Sequence, residues 1–152
     1  MPATIGEAAP SFTLKDQDNN DVSLESFKGR NTLVVFIPFP FTGNCQSELC
    51  SIRDHIADFN DVDANVVAIT CDTRFVHKKW TQEQGYQFPI LSDFWPHGEV
   101  AKAFGCFNEE KGCAWRTTFV LDKDGVVRDI IATGDLGVLR SVDDYNEALA
   151  KL

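Results

Sequence analysis

Residues 38 to 45, Pro-Phe-Pro-Phe-Thr-Gly-Asn-Cys, hold the side chains with the clearest chemical potential. Cys45 opens a stretch in which Leu49, Ile52, Ile56 and Phe59 recur at spacings of three and four, so a helix is expected over 45–59 with Cys45 in its first turn. There a thiol faces unpaired backbone N–H groups and the positive end of the helix dipole. Both favour the thiolate, the form that attacks an electrophile. Thr42, three residues earlier, offers a hydroxyl that accepts from one partner while donating to another, and the two prolines stiffen the loop that carries it. The same spacing allows a plainer reading, in which Cys45 extends the apolar stripe through Leu49 and Ile52 as a small buried hydrophobe.

The elements around this loop decide where it sits. Residues 32–37 form an unbroken β-branched and aromatic run, the pattern of a central strand buried on both faces, and Pro38 and Pro40 end it. Before it, 11–14 and 22–24 read as a short hairpin around Asp18-Asn19-Asn20-Asp21. After the first helix come a second buried strand at 66–70, a helix at 73–84 and a shorter one at 99–104. A second hairpin at 117–121 and 126–131 turns at Asp124-Gly125, and an amphipathic helix closes the chain over 142–152. Parallel strands joined by helices and finished by an antiparallel hairpin describe a thioredoxin-like α/β sandwich, with a mixed central sheet and an N-terminal β-hairpin extension. Cys45 then lies at the C-terminal edge of the sheet, where open α/β folds bind ligands.

A length of 152 residues suits one domain over 1–152, and 43% hydrophobic with 24% charged residues is ordinary globular composition. The net charge of -9 repels phosphate backbones and anionic lipid, so neither nucleic acid nor a membrane is expected as partner. The first twelve residues lack a basic, signal-like start, and the apolar runs are strand-sized, which makes a cytoplasmic location the expectation. Five cysteines at irregular spacing cannot all pair within one chain, which in a reducing compartment points to thiol chemistry or burial. His55, His77 and His97 show no ligand spacing, so neither a metal nor any other cofactor is expected.

The pattern Pro-x-x-x-Thr-x-x-Cys at a strand-to-helix junction, here Pro38, Thr42 and Cys45, resembles the peroxidatic motif of the peroxiredoxins. The likeness extends to Ala9-Pro10-Ser11-Phe12-Thr13-Leu14, to Phe88-Pro89-Ile90-Leu91-Ser92-Asp93 and to Arg116-Thr117-Thr118-Phe119-Val120-Leu121-Asp122. Residues 93–98 and 107–109 look most like the actinobacterial alkyl hydroperoxide reductase E branch. The resemblance implies a thiol-dependent peroxidase in which Cys45 attacks hydrogen peroxide, organic hydroperoxides or peroxynitrite and becomes a sulfenic acid. It also implies that Arg116 holds the thiolate and supplies donors to the peroxide, a role set against that of a surface ion pair. Glu48, one helical turn after Cys45, either orients Arg116 or simply favours the helix N-terminus. Arg140 is a possible second arginine of the pocket, but its glycine-containing loop makes solvated surface the expectation. Cys71 reads as core, while Cys106 and Cys113 flank a polar loop of undetermined exposure.

Cys50 departs from a one-cysteine pattern and matches the spacing of a resolving cysteine in a bacterioferritin-comigratory-type branch. The implied reductants are thioredoxin or a glutaredoxin-like protein with a low-molecular-weight thiol. Phe39, Phe41, Phe94 and Trp95 are placed to line the pocket mouth or a contact between the subunits of a homodimer. Two other readings compete. A thioredoxin-type dithiol oxidoreductase would need Cys-x-x-Cys, whereas Gln46, Ser47 and Glu48 follow Cys45, and Thr117 stands where that family carries a proline. A redox sensor would pass oxidation from Cys45 to a partner protein.

Overall fold

The computed structural model describes residues 2–152. Its β-strands are β1 (Thr13–Lys15), β2 (Asp21–Ser23), β3 (Asn31–Phe36), β4 (Ala64–Thr70), β5 (Ile90–Ser92), β6 (Phe107–Asn108), β7 (Cys113–Ala114), β8 (Thr117–Leu121) and β9 (Val127–Ala132). The helices are α1 (Gly43–Asp54), α2 (Ile56–Asp61), α3 (Arg74–Gln84), α4 (Glu99–Phe104) and α5 (Val142–Ala150). Seven strands form one sheet in the order β2-β1-β5-β4-β3-β8-β9, while β6 and β7 make a separate ribbon. β3 runs parallel to β4 and antiparallel to β8, so it is the central strand of a mixed sheet, in agreement with the thioredoxin-like reading. The N-terminal hairpin joins that sheet at its edge through Lys15 opposite Ser92.

The alternation of β3 divides the core. Leu33, Val35 and Ile37 face one side, where Cys45, Leu49 and Ile52 of α1, Trp80 of α3 and Tyr145 of α5 pack. Val34 and Phe36 face the other, against Phe104 and Phe119, with the Phe36 ring 5.3 Å and 5.8 Å from theirs. Burial on both faces explains why β3 reads as a continuous apolar run instead of an alternating one. Trp80 Nε1 donates to Gln46 Oε1 at 3.1 Å, which ties α3 to the first turn of α1.

Three local features differ from the expectations. The helix expected over 45–59 breaks at His55. Its Nδ1 donates to the Ser51 carbonyl at 2.8 Å, the acceptor that its own N–H would use in a continuing helix, and that N–H bonds Ile52 O at 3.1 Å instead. β5, β6 and β7 are two or three residues long, too short to carry a period. The first hairpin ends at Ser23 because Leu24 enters a 3-10 turn, Leu24–Phe27. Among the described residues no helix is long and apolar enough to cross a membrane.

Candidate active site

The C-terminal end of β3 delivers the chain to the site. The Ile37 N–H still donates to Ile69 O at 2.9 Å, and the buried Pro38 then turns the backbone out of the sheet. Phe41 takes a left-handed conformation, φ 66°, which is costly for a bulky aromatic and marks a backbone constrained by its surroundings. The Thr42 hydroxyl closes the turn by donating to the Phe39 carbonyl at 2.7 Å, which leaves the lone pairs of its oxygen available to accept. Thr42 is also the N-cap of α1, where its carbonyl takes the first helical bond from Gln46 N–H at 2.9 Å. The Thr42 side chain does not cap this end, so the helix dipole and the first-turn N–H groups are open to an anion there.

Cys45 is wholly buried, packed in the core cluster with Leu49 and Ile52. One turn later Glu48 gathers two arginines that lie far away in sequence. Its Oε1 accepts from Arg116 Nη1 at 2.5 Å and from Arg140 Nη2 at 2.8 Å, and its Oε2 accepts from the Arg140 backbone N–H at 2.8 Å and Arg140 Nε at 2.9 Å. Arg116 Nε donates to the Leu136 carbonyl at 2.5 Å, and Arg140 Nη1 donates to the Thr118 hydroxyl at 3.0 Å. The side chains of Arg116, Arg140 and Glu48 are 4%, 0% and 2% exposed. Arg140 is therefore not solvated surface. The loop gives no register in the sequence, but its backbone N–H and guanidinium both close on a carboxylate supplied by α1.

Burial opposes charge on Glu48, but the hydrogen bonds and charge of Arg140, with the charge of Arg116, outweigh it and hold the carboxyl below its ordinary pKa. Burial likewise opposes the Arg140 cation. The hydrogen bonds to Glu48 and the charge of its carboxylate overcome that opposition and raise its pKa. Two buried guanidiniums thus share one carboxylate, and among the described residues no second carboxylate bonds either of them. The cluster carries a surplus positive charge in a low-dielectric setting, and the carboxylate that gathers it stands one helical turn after Cys45. Arg116 Nη2 has no hydrogen-bond partner among the described residues, so one face of that guanidinium remains for a ligand.

The other cysteines have different surroundings. All five are free thiols. Burial and the charge of Asp93 push Cys71 up to about 12, and burial followed by the charge of Cys45 pushes Cys113 up to about 11. Burial, with Cys71 beside it, also raises Cys106. These three thiols are buried and protonated near neutral pH, the state of inert core cysteines. Cys50 is half-buried on α1, and its Sγ lies 3.6 Å from Gln84 Oε1 and 3.6 Å from the Tyr86 hydroxyl, turned toward the end of α3. Phe39, Phe41 and Phe94 are exposed, and Trp95 is 82% exposed. Among the described residues no group of three or more His, Cys, Asp or Glu side chains is placed to hold a metal ion.

Sequence reasoning missed Thr118 and Tyr145, whose hydroxyls meet at 2.9 Å behind Arg140. Strand alternation offers a signal for Thr118, which shares a face with the buried Val120. For Tyr145 none exists, because its partner is 27 residues away.

Comparison with known proteins places this geometry in context. Residues 5–130 match the AhpC/TSA family. Alkyl hydroperoxide reductase E of Mycobacterium tuberculosis (strain ATCC 25618 / H37Rv) is 44% identical over 149 residues, covering 97% of this chain and 97% of that protein. The crystal structure of peroxidoxin BcpB from Mycobacterium tuberculosis matches with a TM-score of 0.84 at 30% identity, covering 97% of this chain and 95% of that one. The crystal structure of Enterococcus faecalis AhpC matches with a TM-score of 0.89 at 25% identity, covering 98% and 92%.

Proposed function

Because the chain belongs to the AhpC/TSA family and is a thiol-dependent peroxidase, we propose that Cys45 is the sulfur that attacks the peroxide. The observation that carries this assignment is the surplus buried positive charge of Arg116 and Arg140, which only a neighbouring anion offsets. The Cys45 thiolate attacks one peroxide oxygen, the O–O bond breaks, and its electron pair leaves on the other oxygen, as hydroxide or alkoxide that takes up a proton or, from peroxynitrite, as nitrite. The sulfur becomes a sulfenic acid. Arg116 supplies a donor from its unpartnered Nη2, Thr42 offers its oxygen to the peroxide proton, Pro38 fixes the loop, and Glu48 holds Arg116 in place. Mixing the reduced protein with hydrogen peroxide, a fatty-acid hydroperoxide and peroxynitrite in a stopped-flow, read by the fluorescence of Trp80, Trp95 and Trp115, tests the substrate range. Fast phases with all three are expected, and no fast phase with any of them would overturn the assignment.

Thr42→Val keeps the shape of the loop and the nucleophile but removes the hydroxyl that closes the turn and faces the substrate. A fall in the second-order rate on the order of 10²–10³ is expected, the cost of one preorganised transition-state contact. A rate equal to the parent's would place Thr42 outside the chemistry.

The sulfenic acid is then recycled. Cys50 attacks it, giving the Cys45–Cys50 disulfide and water, and a thiol reductant such as thioredoxin, or a glutaredoxin-like protein with a low-molecular-weight thiol, restores both thiols. On the intact α1 the two Cα atoms are roughly 8.6 Å apart, beyond the roughly 7 Å reach of a disulfide, so the first turns must unwind locally. The half-buried, polar setting of Cys50, unlike that of the three core thiols, supports this role. Peptide mapping after one equivalent of peroxide should find the Cys45–Cys50 linkage. A lasting sulfenic acid at Cys45 with Cys50 free would instead assign resolution to the external thiol alone. The exposed Phe39, Phe41, Phe94 and Trp95 suit an apolar rim for lipid-like hydroperoxides and the contact of a homodimer. The five free thiols suit a reducing, cytoplasmic setting.

A further inference from the structure

We propose that Thr118 and Tyr145 are positioning residues of the peroxidatic site: their paired hydroxyls fix the Arg140 guanidinium against Glu48 and so set the charge field at Cys45. The inference rests on the Cys45 assignment above and goes beyond it by naming how the closing helix reaches the site. Arg140 belongs to an irregular segment, between the exposed Val138 and Leu139 and the N-cap Ser141 of α5. Nothing in such a segment holds a long side chain still unless both of its ends are anchored. One end is Glu48 Oε2, which takes the backbone N–H and Nε of Arg140. The other is the Thr118 oxygen, 3.0 Å from Nη1, which in turn lies 2.9 Å from the Tyr145 hydroxyl.

Each link follows from the fold. Strand alternation places Thr118 on the face of β8 that also carries Val120, toward Cys45 and α5, while Phe119 and Leu121 face away. Thr118 and Tyr145 are 0% and 2% exposed, so their hydroxyls have no recourse to water, and the polar pair persists only because Arg140 and the two oxygens satisfy one another. Burial keeps the Tyr145 phenol protonated, so the pair acts as a hydrogen-bonding brace and adds no charge. The Glu48 bonds use Nε and Nη2 and leave Nη1 without an anchor on that side. The Thr118 contact fixes its far end, and the guanidinium is thereby held on Glu48, one helical turn after Cys45.

The experiment compares Thr118→Val, Thr118→Ser and Tyr145→Phe with the parent by two readouts. One is the pH titration of the Cys45 thiolate, taken as ultraviolet thiolate absorbance with the same variant carrying Cys45→Ser subtracted. The other is the second-order rate with hydrogen peroxide. The charged groups of the adjoining cluster are Glu48, Arg116 and Arg140, and Cys113 and Tyr86 are the other titratable groups that face Cys45. Thr118→Val should move the titration to higher pH and slow the reaction roughly 10-fold, as for a group acting through another, below the 10²–10³ of a direct donor. Tyr145→Phe should move both in the same direction by a smaller factor, and Thr118→Ser should restore both toward the parent. A lowered melting temperature with unchanged titration and rate in Thr118→Val would mean a purely structural role and overturn the proposal. If Thr118→Val does not fold, an unchanged titration in Tyr145→Phe overturns it equally. The titration needs no peroxide, so a failure of the Cys45 assignment shows up separately, as a parent protein whose Cys45 does not react.

Discussion

Cys45→Ser is expected to abolish the fast reaction with peroxide while leaving the fold intact. Serine is nearly isosteric, so the core around Leu49 and Ile52 loses little packing. Its hydroxyl has no accessible anion near neutral pH, so the attacking species disappears and the surplus charge of Arg116 and Arg140 goes unmatched. The residual rate should be that of ordinary thiols. Cys71, Cys106 and Cys113 cannot take over, because burial keeps them protonated and out of reach. Stopped-flow mixing of reduced parent and variant with hydrogen peroxide measures the loss, and consumption at the parent rate by Cys45→Ser would move the nucleophile to another thiol.

Glu48→Gln should carry the largest stability cost of any single substitution at the site. The amide keeps the shape but removes the one carboxylate that, among the described residues, bonds the two buried guanidiniums, and turns acceptors of four hydrogen bonds into a mixed donor and acceptor group. Breaking a buried pair from one side costs about 3–5 kcal/mol, a large fraction of the stability of a domain this size. The urea midpoint should fall with little change in slope, and the peroxide rate should drop with it because Arg116 and Arg140 lose their common anchor. A midpoint equal to the parent's would mean that the network contributes nothing to folding. The same group gives the parent an acid limit. Its folded pKa lies below the ordinary 4.5, so its contribution is complete above about pH 4.5 and is lost as the pH falls through the lower folded value. Glu48→Gln should lack that part of the acid transition.

The contiguous parts of the site were legible in the sequence because local rules set them. Pro38, Thr42 and Cys45 lie within eight residues, and the run over 32–37 and the spacing after Cys45 place them at a strand-to-helix junction, where β3 and α1 lie. α4 is legible to its exact bounds, Glu99–Phe104, since its apolar residues face one way and glycines stand at both ends. The break at His55 is not, because a side-chain bond to the Ser51 carbonyl outcompetes a continuous apolar stripe. Arg140 fails for a different reason. Its partner Glu48 is 92 residues away, so nothing near it in sequence distinguishes a clamped cation from a solvated one. Thr118 and Tyr145 belong to the same class, as polar residues whose meaning arises only when β8, α5 and α1 pack together.

The most direct measurement asks where the first oxygen lands. Reduced protein is mixed with less than one equivalent of hydrogen peroxide in the presence of a sulfenic-acid trap, quenched at the end of the fast fluorescence phase and mapped by peptide mass spectrometry. The account predicts the adduct on Cys45, with Cys71, Cys106 and Cys113 unmodified and any further product confined to a Cys45–Cys50 linkage. An adduct that forms first on any other cysteine, with Cys45 still a free thiol, would contradict it.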